Sequence, residues 1–238
     1  HPDDVEAAIT PRTKALFIGF PSNPTGAVLE PERIRELAEI AERHDLIVIS
    51  DEIYDRLVFG GHRHEAFSSL PGMRERTILL GGFSKAYAMT GWRVGYVCAP
   101  ADLLDGILKI HQYVIMSAPT LSQDAALVAL TEPAVDDAVD RMMHEYERRR
   151  RMFVDGLNSL GLATVEPRGA FYAFPDISRS GLTSQEFSER LLHEYQVAVV
   201  PGTAFGDSGE GYVRASLATA YEKLEESLVR MERFLGSL

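Results

Sequence analysis

Lys85 stands in the stretch GGFSKAYAMTGWRVGY (residues 81–96), among small and apolar neighbours, and Arg93 follows beside the only tryptophan of the chain. A lysine held in apolar surroundings gives up its proton more readily than one in water and becomes a nucleophile toward a carbonyl carbon. Asp51 and Tyr54, in DEIYD, add a carboxylate and a phenol, while Asn23 and Thr25, in SNPTG, add an amide and a hydroxyl. Taken singly, each has a structural explanation. A lysine after a strand commonly extends its amine to solvent, an aspartate at a strand end commonly caps a helix, and SNPTG makes a tight turn. Taken together they are complementary, provided the fold delivers them to one place.

The surrounding pattern predicts that it does. KALFIGF (14–20), LIVIS (46–50) and TILL (77–80) are short apolar runs rich in branched residues, each bounded by turn formers or polar residues, as buried strands are. PERIRELAEIAERH (31–44) places Pro31 at a first helical position and Ile34, Leu37, Ala38 and Ala41 on one face. Strand, helix, strand implies a parallel sheet with right-handed crossovers, whose active groups gather beyond the carboxyl ends of the strands. Beyond these three runs come Asn23 and Thr25, then Asp51 and Tyr54, then Ser84 and Lys85. GYVCAP (95–100) reads as one more strand, with helices at 101–114 and 120–131 and a long helix from about Pro133 to Leu160. After Gly161 the texture changes to short strands (ATVEP, AFYAFPDI, VAVVPG, YVRASL) alternating with helices near 184–195 and 221–235. The expected division is a first domain over 1–140 and a smaller C-terminal α/β domain over 141–238.

A nucleophilic amine, an acid that keeps a ring nitrogen protonated and an arginine that clamps a phosphate are the requirements of pyridoxal 5′-phosphate. GFSKAYAMTGWRVG is similar to the lysine attachment motif of the class I aminotransferases, and SNPTG, DEIY and YVRASLA resemble that family's other landmarks in order and spacing. The resemblance runs over essentially the whole chain. It implies a fold-type I α/β architecture, with the later half of a mostly parallel-sheet cofactor domain followed by a small domain. It also implies roles: Lys85 forms the Schiff base and shuttles the proton, Asp51 pairs with the pyridine nitrogen, Asn23 and Tyr54 bond the phenolic oxygen, Arg93 holds the phosphate, and Arg214 binds the substrate α-carboxylate. An amino acid and a 2-oxo acid are the implied substrates, and a homodimer the implied assembly, because a neighbouring subunit completes the site in that family. Gly82 departs from the pattern, standing where many relatives carry a phosphate-binding serine.

Composition limits the alternatives. A formal net charge of −11 disfavours nucleic acid and anionic membrane as partners. No run approaches the ~18 apolar residues of a membrane span. One cysteine, Cys98, forms no internal disulfide, which suits a reducing cytoplasm. The first residues, HPDDVEAAIT, show neither a signal-peptide pattern nor an initiator methionine, so the chain is expected to be the later part of a longer protein. The histidines of GGHRHEAF (60–67) suit an exposed loop better than a metal site, and no metal is expected. ERRRR (147–151), preceded by acids on the same helix, is expected to be a solvated, salt-bridged face. Two rival functions stay open: a carbon–sulfur lyase working by β-elimination on the same scaffold, and the cofactor-sensing domain of a transcription regulator.

Overall fold

Short branched runs and amphipathic segments become strands and helices in the expected order. The computed structural model describes all of residues 1–238. Two compact units emerge, one of His1–Pro21 with Val28–Val139, the other of Ser22–Ala27 with Asp140–Leu238.

The first unit opens with α1 (Pro2–Ala8), started by Pro2 in its first turn and capped by the His1 side chain. Strand β1 (Ala15–Gly19) leads to α2 (Pro31–Arg43), whose Ile34, Leu37, Ala38, Ile40 and Ala41 are buried. Strands β2 (Ile47–Asp51) and β3 (Thr77–Gly82) follow, then the single turn α3 (Phe83–Ala86) and β4 (Gly95–Cys98). The sheet order is β1-β2-β3-β4, with β1, β2 and β3 parallel and β4 antiparallel to β3. A parallel return usually runs through a full helix, whereas the segment between β3 and β4 holds only the single turn α3 and a 3-10 turn. The stretch from β2 to β3 is long enough for a crossover but holds one 3-10 turn, Phe67–Ser69, in place of an α-helix. Ile18 and Val48 of the sheet pack with Ile34, Leu37 and Ala41 of α2 and with Phe67, Leu70 and Met73 of that crossover. Helices α4 (Ala101–Val114) and α5 (Thr120–Thr131) complete the unit. Ala126 and Ala129 of α5 pack on Phe83 and Val94, whereas Leu108, Ile110, Tyr113 and Leu127 stand exposed.

The division between units falls inside α6 (Pro133–Ser159). The second unit continues with β5 (Tyr172–Ala173), α7 (Ser184–Tyr195), β6 (Val200–Pro201), β7 (Val213–Ser216) and α8 (Tyr221–Leu235). Its sheet is antiparallel, in the order β5-β7-β6. A capping box starts α7: Thr183 accepts from the Glu186 N–H while the Glu186 carboxylate accepts from the Thr183 N–H. Phe187 of α7 meets Phe234 of α8 edge to face with ring centroids 5.1 Å apart, over a core that includes Phe153, Leu157 and Leu191.

Three expectations need correction. ATVEP (163–167) is not a strand, because Asn158 occupies its backbone: the Thr164 N–H donates to Asn158 Oδ1 at 2.8 Å, and Val165 points to solvent. The exposed face expected for ERRRR holds for Arg148 and Arg151, but Arg150 is buried. In the 60–67 loop, His64 is largely enclosed, and its Nε2 lies 2.6 Å from the buried carboxylate of Glu52. Glu52 also accepts from the Ser50 hydroxyl at 2.8 Å and the Phe67 N–H at 3.0 Å, so the loop is tied back to the end of β2.

Candidate active site

In the first unit, the parallel ladder fixes where the polar groups emerge. Asp51 is the last residue of β2 and stands opposite Gly19 of β1 and Leu80 of β3. Asp51 Oδ1 accepts the Ile53 N–H at 3.2 Å, which turns the chain sharply after the strand. Tyr54, in that turn, is buried, and its C=O accepts the Leu57 N–H at 2.8 Å. Beside it, burial pushes the Asp55 carboxyl up, against the pull of the Arg56 backbone N–H and the His64 charge.

Strand β3 ends in Gly81 and Gly82, and both lack room for a side chain. A Cβ at Gly81 would lie 2.3 Å from the Tyr96 ring, and one at Gly82 would lie 2.9 Å from Ile53 Cδ1. A serine at position 82 would meet the tip of the Ile53 side chain, in the segment that follows Asp51. Lys85 comes three residues later in α3, half-buried. Arg93 is exposed, in a left-handed conformation (φ 53°), and its Nη1 donates to the Thr90 C=O at 2.9 Å. Thr90 in turn donates its hydroxyl to the Ser84 C=O at 3.0 Å. Arg93 is thus linked through Thr90 to the residue before Lys85. The sheet register and these bonds bring Asp51, Tyr54, Lys85 and Arg93 into one unit.

Asn23 and Arg214 form a second group, within the other unit. Residues 22–27 close on themselves, the Gly26 N–H donating to Ser22 C=O at 2.9 Å and the Ser22 N–H to Ala27 C=O at 2.8 Å. Arg214, on β7, donates Nη1–H to Asn23 Oδ1 at 2.8 Å. Its guanidinium carbon lies 4.4 Å from the Tyr172 ring centroid and 4.9 Å from that of Phe205, so the fork is sandwiched between aromatic faces. Its Nε is buried and has no hydrogen-bond partner. An unpartnered buried N–H on a stacked guanidinium suits a planar acceptor such as a carboxylate. The sequence singles out Arg214 and Asn23 but not Phe205, which stands in a short stretch with no periodic signal. Phe171 stacks on Tyr146, and Tyr172 lies against Arg214.

The turn that carries Asn23 tolerates no side chain at Gly26. A Cβ there would lie 2.4 Å from Pro167 Cβ and 2.8 Å from Gly169 O, on a residue with φ +68°. Gly26→Ala is expected to destabilise the second unit by about 2 kcal/mol, read as a lowered melting temperature. An unchanged melting temperature would show that the turn and the 167–169 loop are not packed as described.

The family described as aminotransferase class I and II matches residues 1–231. This chain belongs to it. Among aminotransferases similar to the chain is the aspartate aminotransferase of Pyrococcus abyssi, 51% identical over 233 residues that cover 98% of this chain and 60% of that protein. The aromatic-amino-acid aminotransferase 2 of Thermococcus litoralis is 49% identical over 233 residues, with 98% and 60% covered. The crystal structure of an aromatic aminotransferase from Pyrococcus horikoshii superposes with a TM-score of 0.97 at 50% identity, over 100% of this chain and 64% of that one. The chain therefore spans about 60% of the length of the relatives it matches. Its mixed, mostly parallel sheet is the fold-type I architecture expected from the attachment motif.

Proposed function

We propose that the intact protein is a pyridoxal-phosphate-dependent aminotransferase that moves an amino group from an amino acid to a 2-oxo acid. The observation that carries this reading is the ladder of β2 and β3, in which Asp51 stands beside Leu80 and Lys85 follows in the next turn of chain. In this reading the first unit is the later part of the cofactor domain and the second is the small domain. The residues present fit the cofactor: a carboxylate for the ring nitrogen, an amine for the carbonyl and a guanidinium for the phosphate.

The chemistry supplied by the bound cofactor is that of an electron sink for the bond pair left on the substrate α-carbon. The protein supplies the rest. The Asp51 carboxylate holds the proton on the ring nitrogen, and Arg93 binds the phosphate through charge-assisted bonds. Tyr54 and Asn23 donate to the phenolic oxygen. Lys85 Nζ makes the covalent attachment and, when free, is the base at the substrate α-carbon. The Arg214 fork takes the substrate α-carboxylate, using donors that the bond to Asn23 leaves available. Relatives named for aspartate and for aromatic amino acids favour transfer over elimination and over a sensing role. The same reading includes a homodimer working in a reducing cytoplasm, and no helix is long and apolar enough to cross a membrane.

The test is titration with pyridoxal phosphate, borohydride reduction and peptide mapping, followed by product analysis with an amino acid and a 2-oxo acid. A pyridoxyl group on Lys85 and a new amino acid are expected. Adducts scattered over surface lysines would overturn the site, and release of ammonia with no aminated product would overturn the transfer reaction.

A further inference from the structure

Arg150 is the buried member of the basic run on α6, only 3% exposed, and its contacts lead toward the substrate group. Nε donates to Glu147 Oε2 at 2.7 Å and Nη2 to Glu147 Oε1 at 2.9 Å, which fixes the guanidinium on its own helix as a bidentate pair. The remaining arm, Nη1, reaches out of the helix to the Glu166 carboxylate and to the Pro167 C=O at 3.3 Å. The two residues that follow, Arg168 and Gly169, donate their backbone N–H groups to a single acceptor, Gly26 C=O, at 2.9 and 2.8 Å. Gly26 closes the turn on which Asn23 accepts from Arg214. Beyond Gly169 the same loop becomes β5, where Tyr172 supplies one of the faces against Arg214. The loop at 166–169 therefore sets both neighbours of Arg214, and Arg150 is the side chain that anchors its start from the helix.

Burial of a cation is costly, and a well-packed apolar residue commonly stabilises a core as well or better. What an arginine adds here is direction: a planar fork, locked by Glu147, that holds one backbone carbonyl in place.

We propose that Arg150 is a positioning residue for carboxylate recognition by Asn23 and Arg214, acting through the 166–169 loop and the Gly26 turn. The proposal rests on the aminotransferase reading of Arg214. Its substrate class is the one that reading implies, a small molecule with a free carboxylate.

The experiment compares the intact, cofactor-loaded enzyme with Arg150→Lys, with Glu166→Gln as a second variant whose mostly exposed side chain puts folding at little risk. Two readouts are taken, the split of KM and kcat for the amino-acid substrate, and the dissociation constant of succinate by calorimetry. In Arg150→Lys, KM and the succinate dissociation constant are expected to rise about tenfold with kcat within about twofold, as loss of alignment of one charged hydrogen bond implies. Glu166→Gln should move both in the same direction by a smaller factor. A residue that merely stabilised the fold would lower the active fraction, and hence apparent kcat, and leave both constants alone. In an Asn23→Ala background the Arg150→Lys effect should shrink, since the path then ends on a missing group. Unchanged constants in both Arg150→Lys and Glu166→Gln would overturn the proposal. If Arg214→Gln also leaves succinate binding intact, the failure lies with the reading of Arg214 instead.

Discussion

Lys85→Ala is expected to reduce transamination by the intact enzyme by about four orders of magnitude, the upper range for loss of a positioned acid–base group. The loss is chemical. Lys85 lies in the single turn α3, alanine is a better helix former than lysine, and the turn is held by backbone bonds from Tyr87 to Phe83 and from Ala88 to Lys85. Phe83 and Ala86, the buried residues of that turn, are untouched. The variant should therefore still fold while losing the borohydride-fixed pyridoxyl group at this position and the base proposed to act at the α-carbon. Stopped-flow measurement of a single half-reaction is the direct test. Parental rates in a folded Lys85→Ala protein would refute the assignment of the base.

Asp51→Asn is the second large effect. The substitution is nearly isosteric, and an asparagine Oδ1 can still accept the Ile53 N–H that ends β2, so fold and strand register should survive. What changes is the sign of the interaction with the cofactor ring. A carboxylate favours a protonated ring nitrogen, typically by one to three pKa units for an opposed charge, whereas a neutral amide does not. Turnover is expected to fall by roughly tenfold to a thousandfold, one factor of ten per unit lost, and cofactor retention should weaken as well. Equilibrium dialysis of pyridoxal phosphate and steady-state rates measure the two losses separately. A variant with normal retention and normal rate would remove Asp51 from the site.

Most helices could be read from the sequence because their signals are local. Apolar residues at helical spacing and a proline at the first position marked α2, and the polar and apolar faces of α7 and α8 marked them to within a residue. The parallel core of the first sheet was legible for a similar reason, since continuous branched runs bounded by turns leave few other arrangements. The direction of β4 was not, because it depends on the length and form of the connection from β3. The strands of the second unit shrank to two or four residues where bends interrupt the ladder. Of the proposed site residues, Lys85, Asp51 and Arg93 stand out in the sequence by type and spacing. Arg150 was not: ERRRR has the composition of a solvated face, and only the return of Glu166 and Pro167 over the helix encloses one of its arginines. Likewise, nothing local in SNPTG tells that residues 22–27 pack with a segment far along the chain.

That long-range pairing bears on how the protein is made. Asn23 and Arg214 are separated by 191 positions, and the unit that holds them is assembled from one short early segment and one long late one. At a synthesis rate of about 5–20 residues per second, roughly 10–40 s pass between the emergence of the first partner and that of the second. For most of that interval the 22–27 turn has neither the 166–169 loop nor Arg214 to pack on, and to its end it lacks Arg214. A ribosome that stalls before β7, or a protease that trims the chain there, yields a polypeptide with Lys85 and Asp51 in place and Asn23 without its arginine partner. The Asn23–Arg214 pairing thus forms only after the chain through β7 has been made.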